Sequence, residues 1–311
     1  MSAHGESTKA GAAPAVLTAF RNELRKIFWR KKYCAMLVIY AVIGLGFGIL
    51  GASGLSLRAI AMLSPIAVRQ NVVYGALSAY RAALLPLAIF MLAADVFTHE
   101  LETKSIKCVL TRPVSRLDAY LAKSLAILCY AAVALAVCFV AAQAWQAIAP
   151  AVSAQGVDAA RPGLSDQPVL PGLPGQPSQP GQPSAAAGQG AARSLLSARG
   201  AREFAEGLAA YALTLVPMAA FVALASFLAV VVHSPALVMF LCIAAYGALT
   251  FAGTFLGGFA PALFTTYTSW YRMWLGDRLP LRSLLSAVGL LSSTCVILFG
   301  FGYLVFDRKD I

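Results

Sequence analysis

Six runs of apolar residues, each close to the length of a bilayer, decide what this chain can become. They lie at about 33–50, 76–96, 124–145, 208–232, 236–259 and 284–306. A helix needs about 20 apolar residues to cross the hydrocarbon layer. Inside lipid only a helix or a closed barrel satisfies its own backbone hydrogen bonds. The runs are continuous rather than alternating, so they predict an all-α, polytopic membrane protein with six transmembrane helices. Hydrophobic residues make up 59% of the 311 positions and charged residues 12%, which excludes a soluble globule.

The formal charge is +11, yet the bases flank apolar runs instead of studding an aromatic polar face. In that position they address anionic headgroups and set topology, and nucleic acid is not an expected partner. Cys34, Cys108, Cys129, Cys138, Cys242 and Cys295 match no zinc or CxxC spacing and read as reduced packing residues. About thirty polar and basic residues precede the first run, which reads as a retained anchor and not a cleaved signal.

Residues 1–32 read as a cytoplasmic tail plus an amphipathic helix. Leu17, Phe20, Leu24, Ile27 and Phe28 recur at helical spacing, and Arg21, Arg25, Lys26 and Arg30 fill the other positions. Such a helix is expected to lie in the membrane interface and to touch a partner. In the first span Gly46, Gly48 and Gly51 satisfy GxGxxG, but no strand precedes them and no acidic residue follows at the required distance, so the dinucleotide reading fails. Gly44 with Gly48, and Gly253 with Gly257 in the fifth span, are better read as small residues that let helices approach.

Arg81 in the second span either snorkels to the outer interface or lines a path through the membrane. Residues 150–202 are rich in Pro, Gly and Gln, with PGQPS at Pro174 and again at Pro180, and predict a disordered external loop. Arg193, Arg199, Arg202, Glu203 and Glu206 then suggest a short amphipathic helix leading into the fourth span. His233, Ser234 and Pro235 form a tight turn between the fourth and fifth spans, where a lone histidine is a turn residue and not a ligand. Between Pro261 and Arg282, Phe264, Tyr267, Tyr271 and Trp274 share a helical face, suited to an interfacial helix or to a re-entrant gate.

All eight lysines fall on one side of this topology, which by the positive-inside rule is the cytoplasm. Both termini, including the charged end at 307–311, are then cytoplasmic in a plasma (inner) membrane. The longest charged island, Asp95 to Lys123, shares that side; its cytoplasmic part is placed at 98–120, within a six-span domain covering 33–306. Ser115 followed by Asp118 is a capping-box pattern just after Pro113, so one helix ends before it and the third span's helix begins there. No GxxxxGK[ST], GxSxG or HExxH occurs, so a motor, a hydrolase and a metal site are all absent from the motif inventory.

The island carries a resemblance. Glu100, Leu110, Pro113, Val114, Ser115, Arg116 and Lys123, with Asp310 and Ile311 at the end, fit the places of E-x-x-x-G-T, a leucine-rich helix, P-[VI]-S-R and a D-I tail. On these motifs the chain resembles the membrane subunits of type 2 ATP-binding-cassette (ABC-2) exporters; it departs at Lys104 and Ser105, which replace Gly-Thr. The resemblance implies a permease half, working as a homodimer or a heterodimer, that moves substrate outward. It implies no cofactor in this chain, and ATP and Mg on separate ABC ATPase subunits. Glu100 to Leu110 would be a coupling helix docking into the ATPase, with Glu100, Glu102, Lys104, Lys107, Arg112 and Arg116 at the contact. Alternative classes are a non-transporting adaptor or immunity-type protein and an ion-coupled secondary carrier.

Overall fold

A computed structural model describes residues 12–52, 72–98, 115–159, 198–232, 234–255, 262–269 and 281–308. Glu100, Glu102, Lys104, Lys107, Arg112, Gly257 and His233, the expected docking helix and most of the proline-rich loop lie outside the described residues.

The described chain is helical, with no strand among the described residues. Helix α1 is Ala12–Trp29 and α2 is Lys31–Ala52, with Arg30 between them. Helix α3 covers 72–98, and it is not uniform. Standard turns at Val72–Ala79 and Leu85–Ala93 alternate with wide π turns at Tyr80–Leu84 and Ala94–Thr98. Helix α4 is Arg116–Ala159, α5 is Ala198–Val231, α6 is Pro235–Phe255 and α7 is Leu281–Arg308. A short 3-10 turn at Phe264–Ser269 packs between α5 and α6.

Five helices among the described residues are long and apolar enough to cross a membrane: Ala76–Thr98, Arg116–Trp145, Ala201–Val231, Pro235–Phe255 and Leu285–Arg308. They coincide with the second to sixth expected spans. The expected first span is a continuous helix of 22 residues, α2, outside that set of five. Its hydrogen bonds orient it against α3. Tyr33, near its start, meets Asp95 at the end of α3, and Tyr40 donates to the Leu84 carbonyl at 3.0 Å, so the two helices run antiparallel.

Two boundaries differ from the sequence reading. Helix α4 has 44 residues and continues through Pro150 to Ala159, so the irregular segment does not begin at 150. At 1.5 Å per residue α4 is about 66 Å long, roughly twice a bilayer core. The short helix expected before the fourth span is the first part of a single 34-residue helix, α5. Pro150 removes one helical donor, but the Ala-rich turns on both sides favour continuing the helix.

Buried residues occupy 61%, 56% and 61% of the apolar windows of α3, α4 and α5, against 11% in α6 and in α7. The core is therefore a three-helix packing of α3, α4 and α5, with α6 and α7 against its flank. Small residues allow close approach there: Ala76, Ala88, Ala93, Ala126, Ala134, Ala142, Ala220 and Ala225 are all buried. Aromatic rings fill the spaces between. Phe221 on α5 meets Phe90, Tyr246 and Phe264 edge-on at 6.0, 5.3 and 5.1 Å, tying α3, α6 and the 3-10 turn together.

Candidate functional site: an ion-pair cluster beside the charged island

The island's two flanks are described, and both are held by charged groups from α1 and the start of α2. Ser115 caps α4: its Oγ accepts from the Asp118 N–H at 3.1 Å, as the capping pattern requires. From that cap the helix carries Lys123 inward by two turns. The Lys123 side chain is 3% exposed and its Nζ lies 3.6 Å from Glu23 Oε1. Glu23 also receives Lys26 Nζ, one turn along α1, at 2.9 Å. An isolated charge in so apolar a place would be costly, and a shared carboxylate makes the burial tolerable.

On the other flank, Asp95 lies in the second π turn of α3. Its Oδ2 accepts from Arg30 Nη1 at 2.6 Å and, in very short contacts, from Tyr33 Oη and Lys32 Nζ. One carboxylate thus joins the end of α3 to the α1–α2 junction. Tyr130 on α4 completes the arrangement: its hydroxyl donates to the Tyr33 carbonyl at 3.1 Å, and its ring packs on Tyr33 and Phe28. Glu23, Lys26, Ile27, Arg30, Tyr33, Asp95 and Val96 line a partly open hollow of about 270 Å³, open solvent included.

The apolar stripe of α1 faces the protein. Ile27 is buried, and Phe20, Leu24 and Phe28 pack against the core, chiefly along α4. Leu17 and Trp29 remain outside. Helix α1 is thus bound to the helix following the island through its apolar side and through Glu23.

The expected site residues divide as follows. Arg116 Nη1 donates to the Asp307 carbonyl at 2.6 Å, which brings the start of α4 to the end of α7. Gly44 faces α4 and α3 so closely that a Cβ there would stand 3.1 Å from both Ala141 Cβ and Tyr80 Oη. Gly253 is under less constraint, since a Cβ would meet Leu263 and Thr266 at ordinary contact distances of 3.6 and 3.7 Å. Gly48 lies within α2. Arg81, in the first π turn, donates to Thr268 Oγ1 at 3.4 Å and so ties α3 to the 3-10 turn.

The sequence reading missed Glu23, Asp95 and Tyr33 as a group. A signal existed: Glu23 is the sole acid between Glu6 and Asp95, set in a basic helix, and each of the two later acids needed a counter-charge. It also placed Lys123 at the opening of a span, whereas Lys123 is buried two turns inside α4.

Among the described residues no group of three or more His, Cys, Asp or Glu side chains gathers as metal ligands. Apolar helices, small-residue packing and ion pairs at one end of the bundle define a multi-pass integral membrane protein. Residues 19–157 match the sequence model of a family described as ABC-2 family transporter protein. That stretch is a little under half of the chain, is similar to the membrane domain of ABC-2 type transporters, and contains every residue of the ion-pair cluster. A comparison with curated proteins returned no match.

Proposed function

We propose that this protein is the permease subunit of an ATP-driven exporter, with six spans and both termini in the cytoplasm of a plasma (inner) membrane. Two permease halves, identical or related, line the substrate path, and separate ABC ATPase subunits bind the ATP and Mg. The coupling segment, with Glu100, Glu102, Lys104, Lys107, Arg112 and Arg116 at the contact, docks on the ATPase. Closure of the ATPase pair then moves the helix ends on either side of the segment.

The observation that carries this reading is the clamp on both sides of the island. Thr98 closes α3 three residues after Asp95, and α4 begins at Arg116 seven residues before Lys123. Both charged residues are tied to α1 and α2, so a push on 99–114 reaches α1, α2, α3 and α4 together. A solvated loop without a partner needs no such bracing. In a rigid, close-packed bundle a displacement of this kind is passed on as a helix shift.

Purification of the full chain from native membranes through a terminal tag tests the reading. The expected result is a co-purifying ATPase whose ATP hydrolysis is sensitive to vanadate and insensitive to ionophores. Recovery of the chain without any ATPase would contradict it, and substrate uptake driven by an ion gradient without ATP would place it among secondary carriers.

A further inference from the structure

Tyr120 lies one turn after Arg116, at the start of α4, and is 1% exposed. Its ring is caged by Phe97 of α3 and by Phe299 and Phe306 of α7, whose ring centres stand 5.6, 6.0 and 5.8 Å away. Its hydroxyl is buried without a hydrogen-bond partner among the described residues. An unpaired buried hydroxyl is destabilising and uncommon in native structures. A phenylalanine would fill the same cage without it.

The hydroxyl is nevertheless provided for. It occupies a niche on α7 that exists because residue 302 is glycine. A Cβ there would overlap the Tyr120 oxygen and would stand 3.2 Å from Tyr120 Cζ and 3.5 Å from the Phe227 Cα of α5. A tyrosine and a glycine thus serve a group that bonds nothing in this conformation.

Gly302 has a companion in Gly300, where a Cβ would meet nothing within 4 Å. Two glycines so close together weaken α7 where it passes Tyr120, and helices bend at such places. The two sides of this weak point are held differently. Before it, Ala287 and Leu291 are buried in the bundle. After it, the Asp307 carbonyl accepts from Arg116 Nη1, so the last turn of α7 is tied to the start of α4. In a regular helix the Gly302 and Tyr303 N–H groups point at the carbonyls of Leu298 and Phe299. A bend at Gly300–Gly302 loosens those bonds and frees a carbonyl beside the niche.

We propose that Tyr120 is the latch for a second conformation of α7, in which the helix bends at Gly300–Gly302 and the hydroxyl donates to the carbonyl of Leu298 or Phe299. The straight helix leaves the hydroxyl unpaired, and the bent one leaves a backbone N–H unpaired near the charged end of the chain. Each state gives up one hydrogen bond, which keeps the two close in free energy. The device sits beside the charged island and does not depend on what docks there.

The test is hydrogen–deuterium exchange of α7, read by mass spectrometry on the purified full-length chain in lipid nanodiscs. Tyr120→Phe relieves the straight state of its unpaired hydroxyl and deprives the bent state of its bond, so exchange at 302–306 should slow by about tenfold. Gly300→Ala fits the straight helix and stiffens the hinge, and should slow the same amides by about fivefold. Exchange at 287–294 should stay as in the parent in both variants. A tyrosine that only packs its ring predicts no slowing in Tyr120→Phe. Unchanged or faster exchange at 302–306 in that variant, or slowing spread evenly along α7, would overturn the latch. Loss of the folded chain in Tyr120→Phe would overturn it too, because the hydroxyl would then be needed by the straight state. Unchanged exchange in Gly300→Ala would remove the hinge.

Discussion

The Lys123 ammonium, almost wholly buried in α4, faces the Glu23 carboxylate of α1 at 3.6 Å. The pair fastens the first helix of the chain to the helix that follows the charged island. Its worth lies less in net attraction than in the counter-charge it supplies to an ammonium held in an apolar site.

Glu23→Gln should therefore lower stability by about 3 kcal/mol, with Lys123→Met costing less because it removes the buried charge itself. The exchange Glu23→Lys with Lys123→Glu should recover part of the loss. Thermal unfolding of the purified variants in detergent checks the order; equal stability of Glu23→Gln and the parent would mean that the pair is not formed.

Asp95 accepts three donors, from Arg30, Lys32 and Tyr33. Asp95→Asn keeps the shape and removes the charge, leaving two cations facing an amide. The expected outcome is a larger stability loss than for Tyr33→Phe, which deletes one donor worth about 1 kcal/mol. Proteolysis of the α1–α2 junction in membranes should accelerate in Asp95→Asn and barely change in Tyr33→Phe.

Tyr246 on α6 donates its hydroxyl to the Ala82 carbonyl, four residues before Pro86. A proline nitrogen cannot serve that carbonyl, and the π turn at Tyr80–Leu84 loosens the ladder further. Tyr246→Phe should cost about 0.6–1.7 kcal/mol, the range of hydrogen bonds between membrane helices. In a Pro86→Ala background, where a backbone N–H returns, the same change should cost less. Additive losses in this double-mutant cycle would refute the link between the proline and the tyrosine.

Gly44 and Gly46 provide a control for packing. A methyl at Gly44 would press on Ala141 and Tyr80, whereas a Cβ at Gly46 meets nothing within 4 Å. Gly44→Ala should destabilise by about 1–3 kcal/mol, and Gly46→Ala should be neutral or slightly stabilising. Comparable effects at the two positions would show that α2 does not lie against α4 in this register.

Much of the architecture was legible because hydropathy acts locally. The spans ending at Thr98 and Val231 and the cap at Ser115 all follow from neighbouring residues, and the structure sets them within a few positions of the sequence reading. The persistence of α4 past Pro150 was not legible, since proline was read as a stop where Ala-rich flanks keep the helix going. The pairing of Glu23 with Lys123 and of Asp95 with Arg30 was hidden for another reason. It depends on which helix faces are adjacent, and periodicity shows that α1 has an apolar side without showing what covers it.

The central claim is that 99–114 docks on a separate ATPase and that the clamp passes the motion on. The most direct measurement is the amount of ATPase retained by the tagged chain and by its Glu100→Arg, Glu102→Arg variant, purified side by side from membranes at equal expression. The account predicts an ATPase at near-equal stoichiometry with the parent and its loss by tenfold or more from the variant, whose membrane level stays unchanged. Equal retention by both chains, or no ATPase with either, would contradict it.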